Sequence, residues 1–349
     1  MREGWEYICF ESCLNKIPKA KQVKTKEYNS GTKYPIISQE DKLISGYCDD
    51  ESMLFHIDKP VIIFGDHTRV LKYIDFDFVV GADGVKIISP KENLNAKFLL
   101  YFLTWYNIPN LGYSRHYKLL KELDIPVPPL STQLSIVSEL DKINELIRLK
   151  KEQLKDYDDL TQSIFYEMFG DPVVNEKGWE VDYLSHLCNV FAGGDKPSDL
   201  SEMQSKDFPY PVIANGDGDK GILGYSKMCK IKEDAVTIGA RGASIGNCRL
   251  VRNGFTPAIR LITLVPQMKL DCNYLYYYVR NMNYRVNGVA QAQLTVPNVQ
   301  RELIPIPSLH LQQLFAQRIE LIEKQKAEVQ QTIKTLETLL ASRMQYWFD

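Results

Sequence analysis

The chain has 349 residues, of which 44% are hydrophobic and 25% are charged. These proportions are those of ordinary globular proteins, so they exclude disordered, collagen-like and disulfide-scaffold classes. Lys and Arg number 42 and Asp and Glu number 44, giving a formal net charge of -2. This balance excludes a general binder of polyanions, and any such partner must be met by local basic patches.

The sequence carries no sign of a membrane segment or of a metal site. It has no run of 18 or more apolar residues, and its N-terminus lacks the basic and apolar regions of a signal peptide. Seven cysteines are scattered without a C-x-x-C pair, which favours reduced thiols over a zinc site. We therefore expect a cytoplasmic protein with no membrane contact and no metal.

The first predicted segment, residues 1–124, is a mixed globular domain. Short β-rich runs at 61–64 (VIIF), 78–80 (FVV) and 85–88 (VKII) lie between Gly, Asp and Pro turns and predict strands. Residues 97–106 (KFLLYFLTWY) predict a short aromatic helix. The segment is therefore α+β.

Residues 125–170 open with the proline motif IPVPPL and continue as one long predicted helix. Its apolar residues are spaced by three, four or seven residues and form a narrow seam, as in a coiled coil. The seam residues are Ile136, Leu140, Ile143, Ile147 and Leu154.

The second half follows the same order. Residues 171–303 predict another α+β domain, with a strand at 258–265 (AIRLITLV) and a helix at 272–281 (CNYLYYYVRN). The tyrosines of this helix are expected in the core, where aromatic stripes usually lie, and not on a stacking platform. Residues 304–349 open with IPIPSL and predict a second long helix, whose seam residues are Ile319, Ile322, Val329, Ile333 and Leu336.

The two halves are copies of each other. A single offset of 179 residues relates the proline motifs, Gln133 to Gln312, and Ile143 to Ile322. Upstream, residues 34–37 (YPII) match 210–213 (YPVI). The predicted fold is therefore α+β with a pseudo-two-fold internal repeat, in which two tandem domains are separated by two long helices. We expect these helices to form an antiparallel coiled coil, because a parallel pair would need a return crossing of their full length.

Catalytic motifs are absent or incomplete. Residues 216–221 (GDGDKG) fit G-x-G-x-x-G, but no helix start follows, so a loop is expected there and not a nucleotide site. Asp66 and His67 stand side by side without a hydrolase motif, and the chain has no phosphate-binding loop of an ATPase. The sequence therefore predicts a non-catalytic protein that needs no cofactor of its own.

The order of these features resembles the DNA-specificity subunit of Type I restriction-modification systems. Further matches lie at 64–68 (FGDHT), 81–85 (GADGV), 113–117 (YSRHY), 192–198 (AGGDKPS) and 238–242 (IGARG). Each motif is weak alone, but their order and duplication are specific, and the resemblance covers nearly the whole chain.

The resemblance implies that each domain is a target-recognition domain that reads one half of a bipartite site in double-stranded DNA. It implies that the coiled coil sets the spacer and docks two copies of a modification subunit, which methylates adenine with S-adenosylmethionine. It also implies restriction subunits with motor activity that use ATP and Mg. None of these cofactors is expected in this chain.

Candidate DNA contacts follow from the chemistry of nucleic acids. Phosphates require Lys and Arg in local groups, and the candidates are Lys19, Lys21, Lys24, Lys33, Lys118, Lys196 and Lys220. Base reading requires side chains with paired donors and acceptors, and the candidates are Gln39, Arg69, Arg115, His116, Asn215, Arg241, Gln291 and Gln293.

Two alternative functions remain open at this point. A coiled-coil scaffold whose globular ends bind protein or glycan ligands would have no affinity for DNA. A hydrolase that uses Asp66 and His67 would turn over substrate as the isolated chain.

Overall fold

The computed structural model describes residues 4–18, 20–28, 31–82, 84–112, 114–216, 221–267, 269–282 and 293–349. It divides into two compact units. Unit 1 comprises Met1–Lys151 and Gln331–Asp349, and unit 2 comprises Glu152–Gln330. Both long helices cross this division, so each unit contains a globular part and half of each helix.

Unit 1 is built from short strands and two short helices that precede the first long helix. The strands are β1 (Glu6–Cys9), β2 (Gln22–Val23), β3 (Tyr34–Ile37), β4 (Gly46–Cys48), β5 (Leu54–Phe55), β6 (Val61–Gly65), β7 (Leu71–Ile74), β8 (Phe78–Gly81), β9 (Val85–Ile88) and β10 (Asp124–Val127), and the helices are α1 (Ala96–Tyr106), α2 (Tyr117–Lys121) and α3 (Leu130–Phe169). β8 pairs in parallel with β2 and β3, β6 lies between β7 and β9, and β1 pairs with β10.

Unit 2 repeats this skeleton. Its elements are β11 (Val181–Tyr183), α4 (Leu184–Leu187), β12 (Cys188–Ala192), β13 (Tyr210–Ile213), β14 (Ile222–Ser226), β15 (Ala235–Gly239), β16 (Cys248–Val251), β17 (Thr256–Pro257), β18 (Leu261–Pro266), α5 (Cys272–Asn281), α6 (Val296–Gln300), β19 (Leu303–Pro305) and α7 (Leu309–Phe348). The parallel pair β13 and β17 corresponds to β3 and β8, and β15 lies between β16 and β18 as β6 does between β7 and β9. The α+β class and the internal repeat are confirmed.

One predicted strand begins later than its sequence indicates. The apolar run at 258–265 predicts a strand throughout, but β18 begins at Leu261. Ile259 and Arg260 have positive φ angles, 25° and 57°, which lie outside the β region. Residues 258–260 therefore form a loop. Arg260 is not part of the strand that the alternating apolar pattern around it predicts.

The predicted seam of the long helices is buried. Ile136, Leu140, Ile143, Ile147, Ile319, Ile322, Val329 and Ile333 are buried, and Leu154 and Leu336 are half-buried. The seam thus contributes apolar burial along both helices, at roughly 1.5–3 kcal/mol for each fully buried side chain.

The direction of pairing is antiparallel in each unit. In unit 1, Glu139 of α3 pairs with Arg343 of α7, and Lys151 Nζ lies 2.9 Å from Glu337 Oε1, so α7 numbers fall as α3 numbers rise. In unit 2, Lys326 Nζ lies 2.9 Å from Asp158 Oδ1. Further along α3, Arg318 contacts Met168 Sδ at 3.9 Å. The antiparallel prediction is confirmed.

Each unit packs its long helices against its own short aromatic helix. In unit 2, Phe165 and Phe169 of α3 contact Tyr274 of α5, with ring centroids 5.9 and 4.7 Å apart. In unit 1, Phe348 of α7 contacts Phe98 of α1, with centroids 5.5 Å apart. The tyrosines of α5 therefore lie in the core, as predicted.

A buried glutamine ties each long helix to that aromatic helix. Gln133 is fully buried; its Oε1 accepts the N–H of Asn95, and its Nε2 donates to the carbonyls of Asn93 and Pro128, each at 2.8 Å. Because Asn95 also caps α1, this side chain ties the start of α1 to the start of α3.

Gln312 makes the same three bonds in unit 2. Its Oε1 accepts the N–H of Asp271, the N-cap of α5, and its Nε2 donates to the carbonyls of Lys269 and Pro307. The glutamine three residues beyond each proline motif is thus a structural anchor.

Candidate nucleic-acid interface

The loops that follow parallel strands meet at one edge of the sheet in unit 1. β2, β3 and β8 run in parallel, so the residues beyond their carboxyl ends share that edge. Lys24 follows β2, and Gln39 lies two residues beyond β3. Lys21 and Lys33 precede these strands and therefore lie at the opposite edge.

Four segments converge there, and we name residues 38–42, 66–69, 84 and 114–116 loop cluster 1. Thr68 Oγ1 donates to the Gln39 carbonyl at 2.6 Å, and the His67 N–H donates to Gln39 Oε1 at 3.2 Å. The Asp66 N–H donates to the Gly84 carbonyl at 2.7 Å, and the His116 N–H to the Asp66 carbonyl at 2.8 Å. These bonds place Gln39, His67 and Arg115 in one cluster.

The structure corrects the role predicted for His116. This side chain is fully buried. Its Nδ1 donates to the Asp66 carbonyl at 2.9 Å, and its Nε2 accepts the N–H of Leu111 at 3.0 Å. Since both ring nitrogens are used, His116 cannot read a base in this arrangement and instead shapes the loop. The neighbouring Arg115 is exposed.

Arg69 is also partly engaged by the fold. Its Nη1 donates to the carbonyl of Ile108 at 2.8 Å, in the segment that follows α1, and the residue is half-buried with a φ of 62°. The side chain is therefore held against the protein. Lys118, on the first turn of α2, is exposed next to loop cluster 1.

A buried lysine supports the loop that carries Gln39. Lys72 is 5% exposed, and its Nζ donates to the carbonyls of Ser38, at 2.9 Å, and Lys42. Burial lowers the pKa of this ammonium group. Lys72 lies opposite Ile63 in the ladder.

Asp66 has a structural task as well. Its carboxylate is 2% exposed, accepts the N–H of Tyr117 at 2.8 Å, and lies 3.8 Å from Lys86 Nζ. The carboxylate therefore orders the start of α2. This structural role argues against the hypothesis that Asp66 and His67 form a hydrolase site.

Unit 2 builds its own cluster from the equivalent segments. We name residues 214–216, 240–242, 258–260 and 293–294 loop cluster 2. The Ala240 N–H donates to the Arg260 carbonyl at 3.3 Å, and the Leu294 N–H to the Ala240 carbonyl at 2.9 Å. These two bonds match those that Asp66 makes with Gly84 and His116 in unit 1.

Three predicted base-reading residues meet in loop cluster 2. Asn215 Nδ2 donates to the Arg241 carbonyl at 2.6 Å, and Arg241 forms a backbone bridge with Gln293. Asn215 Oδ1 is buried and has no hydrogen-bond partner among the described residues. The side chains of Arg241 and Gln293 are exposed.

Lys196 lies near this cluster, because Gly194, two residues earlier, forms a parallel bridge with Ala258 of loop cluster 2. It is exposed. The predicted candidates Lys19, Lys220 and Gln291, and most of the GDGDKG stretch, lie outside the described residues.

Sequence reasoning missed one residue of loop cluster 2, namely Arg260. The alternating apolar run around Arg260 predicts a strand, so the sequence pattern gives no sign that Arg260 lies in a loop. The available signal was the repeat itself, since aligning 81–85 with 257–261 sets Arg260 opposite Gly84.

Comparison with known proteins identifies the family. A family model described as the Type I restriction modification DNA specificity domain matches residues 2–156 and again residues 176–338. The chain belongs to this family. The two matches correspond to the two repeats, and the resemblance seen in the sequence motifs is confirmed. As a specificity subunit, the chain is a non-catalytic component of a Type I restriction-modification complex.

Relatives and solved structures agree over most of the chain. A type I specificity subunit of Mycoplasma pneumoniae is 28% identical over 85% of this chain and 84% of its own length. The EcoR124I/EcoR124II specificity subunit of Escherichia coli is 21% identical, over 86% and 81%. The crystal structure of a Type I S subunit from M. genitalium has a TM-score of 0.63 at 17% identity, covering 97% of this chain and 95% of that one.

A structure from work on assembly and conformational transition of the type I restriction-modification system has a TM-score of 0.58 at 18% identity, covering 99% and 98%. Both structural likenesses are to the fold. None of the helices in the described part of the chain is long and apolar enough to cross a bilayer.

Proposed function

We propose that each unit reads one half of a bipartite site in double-stranded DNA, and that loop clusters 1 and 2 are the reading surfaces. The observation that carries this proposal is that the two loop clusters share their backbone hydrogen bonds but differ in their side chains. Equivalent loops meet through equivalent backbone bonds, yet cluster 1 has Gln39, His67 and Arg115 where cluster 2 has Asn215, Arg241 and Gln293.

The exposed Arg115, Arg241 and Gln293 have the chemistry that base reading requires, whereas Gln39 and Asn215 are half-buried and hydrogen-bonded within their clusters. Arg pairs in a bidentate manner with guanine, and Asn or Gln with adenine, in the major groove. Lys24 and Lys118 beside cluster 1, and Lys196 beside cluster 2, supply charges for phosphates. A different set of side chains in each unit favours two different half-sites, and therefore an asymmetric site.

The paired helices are proposed to fix the spacer between the half-sites and to dock two modification subunits. These subunits would supply S-adenosylmethionine-dependent adenine methylation, and restriction subunits would supply motor activity driven by ATP with Mg. The chain would then act in the cytoplasm, where the host DNA is accessible to it. Its own residues provide recognition and no cofactor chemistry.

Selection from a random duplex library, with the modification subunits present, tests the recognition proposal. We expect enrichment of one split motif with two different half-sites and a fixed spacer, and loss of the same methylated motif from the host when this chain is deleted. Failure to enrich a split motif would overturn the proposal and favour the scaffold alternative.

Matched insertions test the spacer proposal separately. Seven residues inserted after Lys151 in α3 and seven after Gln330 in α7 keep the heptad seam and add about 10 Å. That length equals roughly 3 base pairs of B-DNA. We expect a spacer longer by that amount with unchanged half-sites, and an altered half-site would contradict the proposal.

A further inference from the structure

Arg260 holds a backbone conformation that its residue type disfavours. Its φ is 57°, in the left-handed region, and the preceding Ile259 has a φ of 25°. Side chains with a Cβ rarely adopt such angles, and they persist where surrounding contacts impose them, often at functional sites.

The surrounding contacts do impose this loop. Residues 258–261 are bonded to three other segments: the Ala258 N–H donates to the Ile213 carbonyl (2.7 Å), the Ile259 N–H to Gly194 (2.9 Å), the Gly193 N–H to Leu261 (2.7 Å) and the Ala240 N–H to Arg260 (3.3 Å). A Cβ on Gly193 would lie 2.8 Å from the Ala258 nitrogen, so this approach requires glycine. The backbone of Arg260 is therefore fixed from both sides.

The equivalent residue in unit 1 is a glycine. Gly84 has a φ of 94°, and its carbonyl accepts the Asp66 N–H as that of Arg260 accepts the Ala240 N–H. The conformation is thus common to both units, and glycine satisfies it without strain. An arginine at this position is not required by the backbone, which points to a task for its side chain.

The side chain is free to perform such a task. Arg260 is exposed within loop cluster 2, and no acidic residue pairs with it among the described residues. In unit 1 a Cβ on Gly84 would meet Gln39 Oε1 at 2.7 Å and His67 Cδ2 at 2.9 Å, so that space is filled. In unit 2 the shorter Asn215 turns to the Arg241 carbonyl.

We infer that Arg260 is a specificity-determining residue of unit 2 that reads a guanine in its half-site. The inference rests on the proposed function of the loop clusters. A guanidinium presents two parallel donors that match guanine O6 and N7, which an ammonium group cannot do in the same geometry. Gly84 has no side chain to make this contact in unit 1, so we expect no base preference from that loop position in the other half-site.

The test compares Arg260→Gly and Arg260→Lys in the complex with the modification subunits. Arg252→Ala is the matched control, because this exposed arginine of the same unit bonds to Asn273 Oδ1 at 2.7 Å outside loop cluster 2. Binding is measured to duplexes substituted at each position of both half-sites, and melting temperature is measured in parallel.

For Arg260→Gly we expect discrimination to fall by roughly 10-fold or more at a guanine of one half-site, with the other half-site unchanged and the melting temperature not lowered. Arg260→Lys should also lose this discrimination. Uniform weakening in the glycine variant that lysine restores would make Arg260 a phosphate contact and overturn the inference. An unchanged site would overturn it too, whereas a wild-type complex that selects no split site would instead overturn the proposed function.

Discussion

Gln133 in unit 1 and Gln312 in unit 2 make the same three hydrogen bonds, whereas Gly84 and Arg260, at one equivalent loop position, differ in everything but backbone. The anchor positions are the same in both halves, and at each a fully buried glutamine side chain bonds to three backbone groups. The loop positions have diverged, because there the fold requires only a backbone path. A duplicated framework with diverged loops is what a site with two unlike halves requires.

The largest expected effect tests the shared anchor. Gln133→Leu or Gln312→Leu removes one buried and two part-buried hydrogen bonds to backbone groups, and an unpaired group costs about 1–3 kcal/mol, least where water can reach it. We expect the free energy of unfolding to fall by about 3–6 kcal/mol in the affected unit only. Hydrogen exchange of the α1 and α5 amides measures this, with the exposed Gln162→Leu as control. Equal losses in both units would contradict the separate anchors.

The next effect tests the divergence of the reading surfaces. Arg115→Ala should cost about 1–3 kcal/mol of discrimination at one position of a single half-site, a factor of roughly 5 to 150. Binding to singly substituted duplexes measures it. Arg148→Ala is a suitable control, because Arg148 lies on α3 and pairs with Glu145. If both half-sites weaken equally, Arg115 is a phosphate contact or a structural residue.

A smaller effect is expected from a substitution at Gly84, the position in unit 1 that corresponds to Arg260 in unit 2. Gly84→Ala adds a Cβ at a φ of 94°, against Gln39 and His67, and should destabilise unit 1 by about 1–2 kcal/mol. Displacement of Gln39 should also weaken one half-site. Thermal unfolding and duplex binding of the complex measure both effects. An unchanged melting temperature would show that the loop does not hold this conformation tightly.

The smallest effect concerns an ion pair that only unit 1 has. The hydrogen bond from Arg343 lowers the pKa of Glu139, and Trp347 Nε1 donates to the same carboxylate at 3.0 Å. At the equivalent positions unit 2 has Arg318 and Ile164. Because the folded pKa is the lower one, the stabilisation is present above the ordinary glutamate pKa and is lost as pH falls through the lowered value.

We therefore expect Glu139→Gln to cost under about 1 kcal/mol at neutral pH. It should also make the stability of unit 1 fall less steeply with acid below the ordinary glutamate pKa of 4.5. Hydrogen exchange of α1 amides across that range measures it, with α5 amides as the internal reference. An acid limb as steep as that of the unmodified protein would exclude this contribution.

The long helices and the internal repeat could be predicted, because periodic spacing and repeated motifs in the sequence indicate them directly. The seam of the long helices, the helix at 272–281 and the copy relation between halves depend on local spacing, which the structure preserves. His116 could not be assigned correctly, because its burial depends on Asp66 and Leu111, whose positions no local pattern gives. Arg260 was missed because an alternating run predicts a strand even where other segments hold the chain in a loop.

The sequence alone predicts a duplicated α+β protein with two long amphipathic helices, a non-catalytic role and a resemblance to DNA-specificity subunits. These properties depend on composition, periodicity and repetition, which survive without knowledge of distant contacts. The folded chain shows which polar residues meet in the loop clusters and which of them are hydrogen-bonded within the fold. It also shows that Lys24 lies at the same edge as Gln39, while Lys21 and Lys33 do not. Parallel strand pairing and backbone hydrogen bonds between remote segments bring these residues together. Backbone bonds of this kind do not depend on side-chain type, so the sequence gives no pattern from which to predict them.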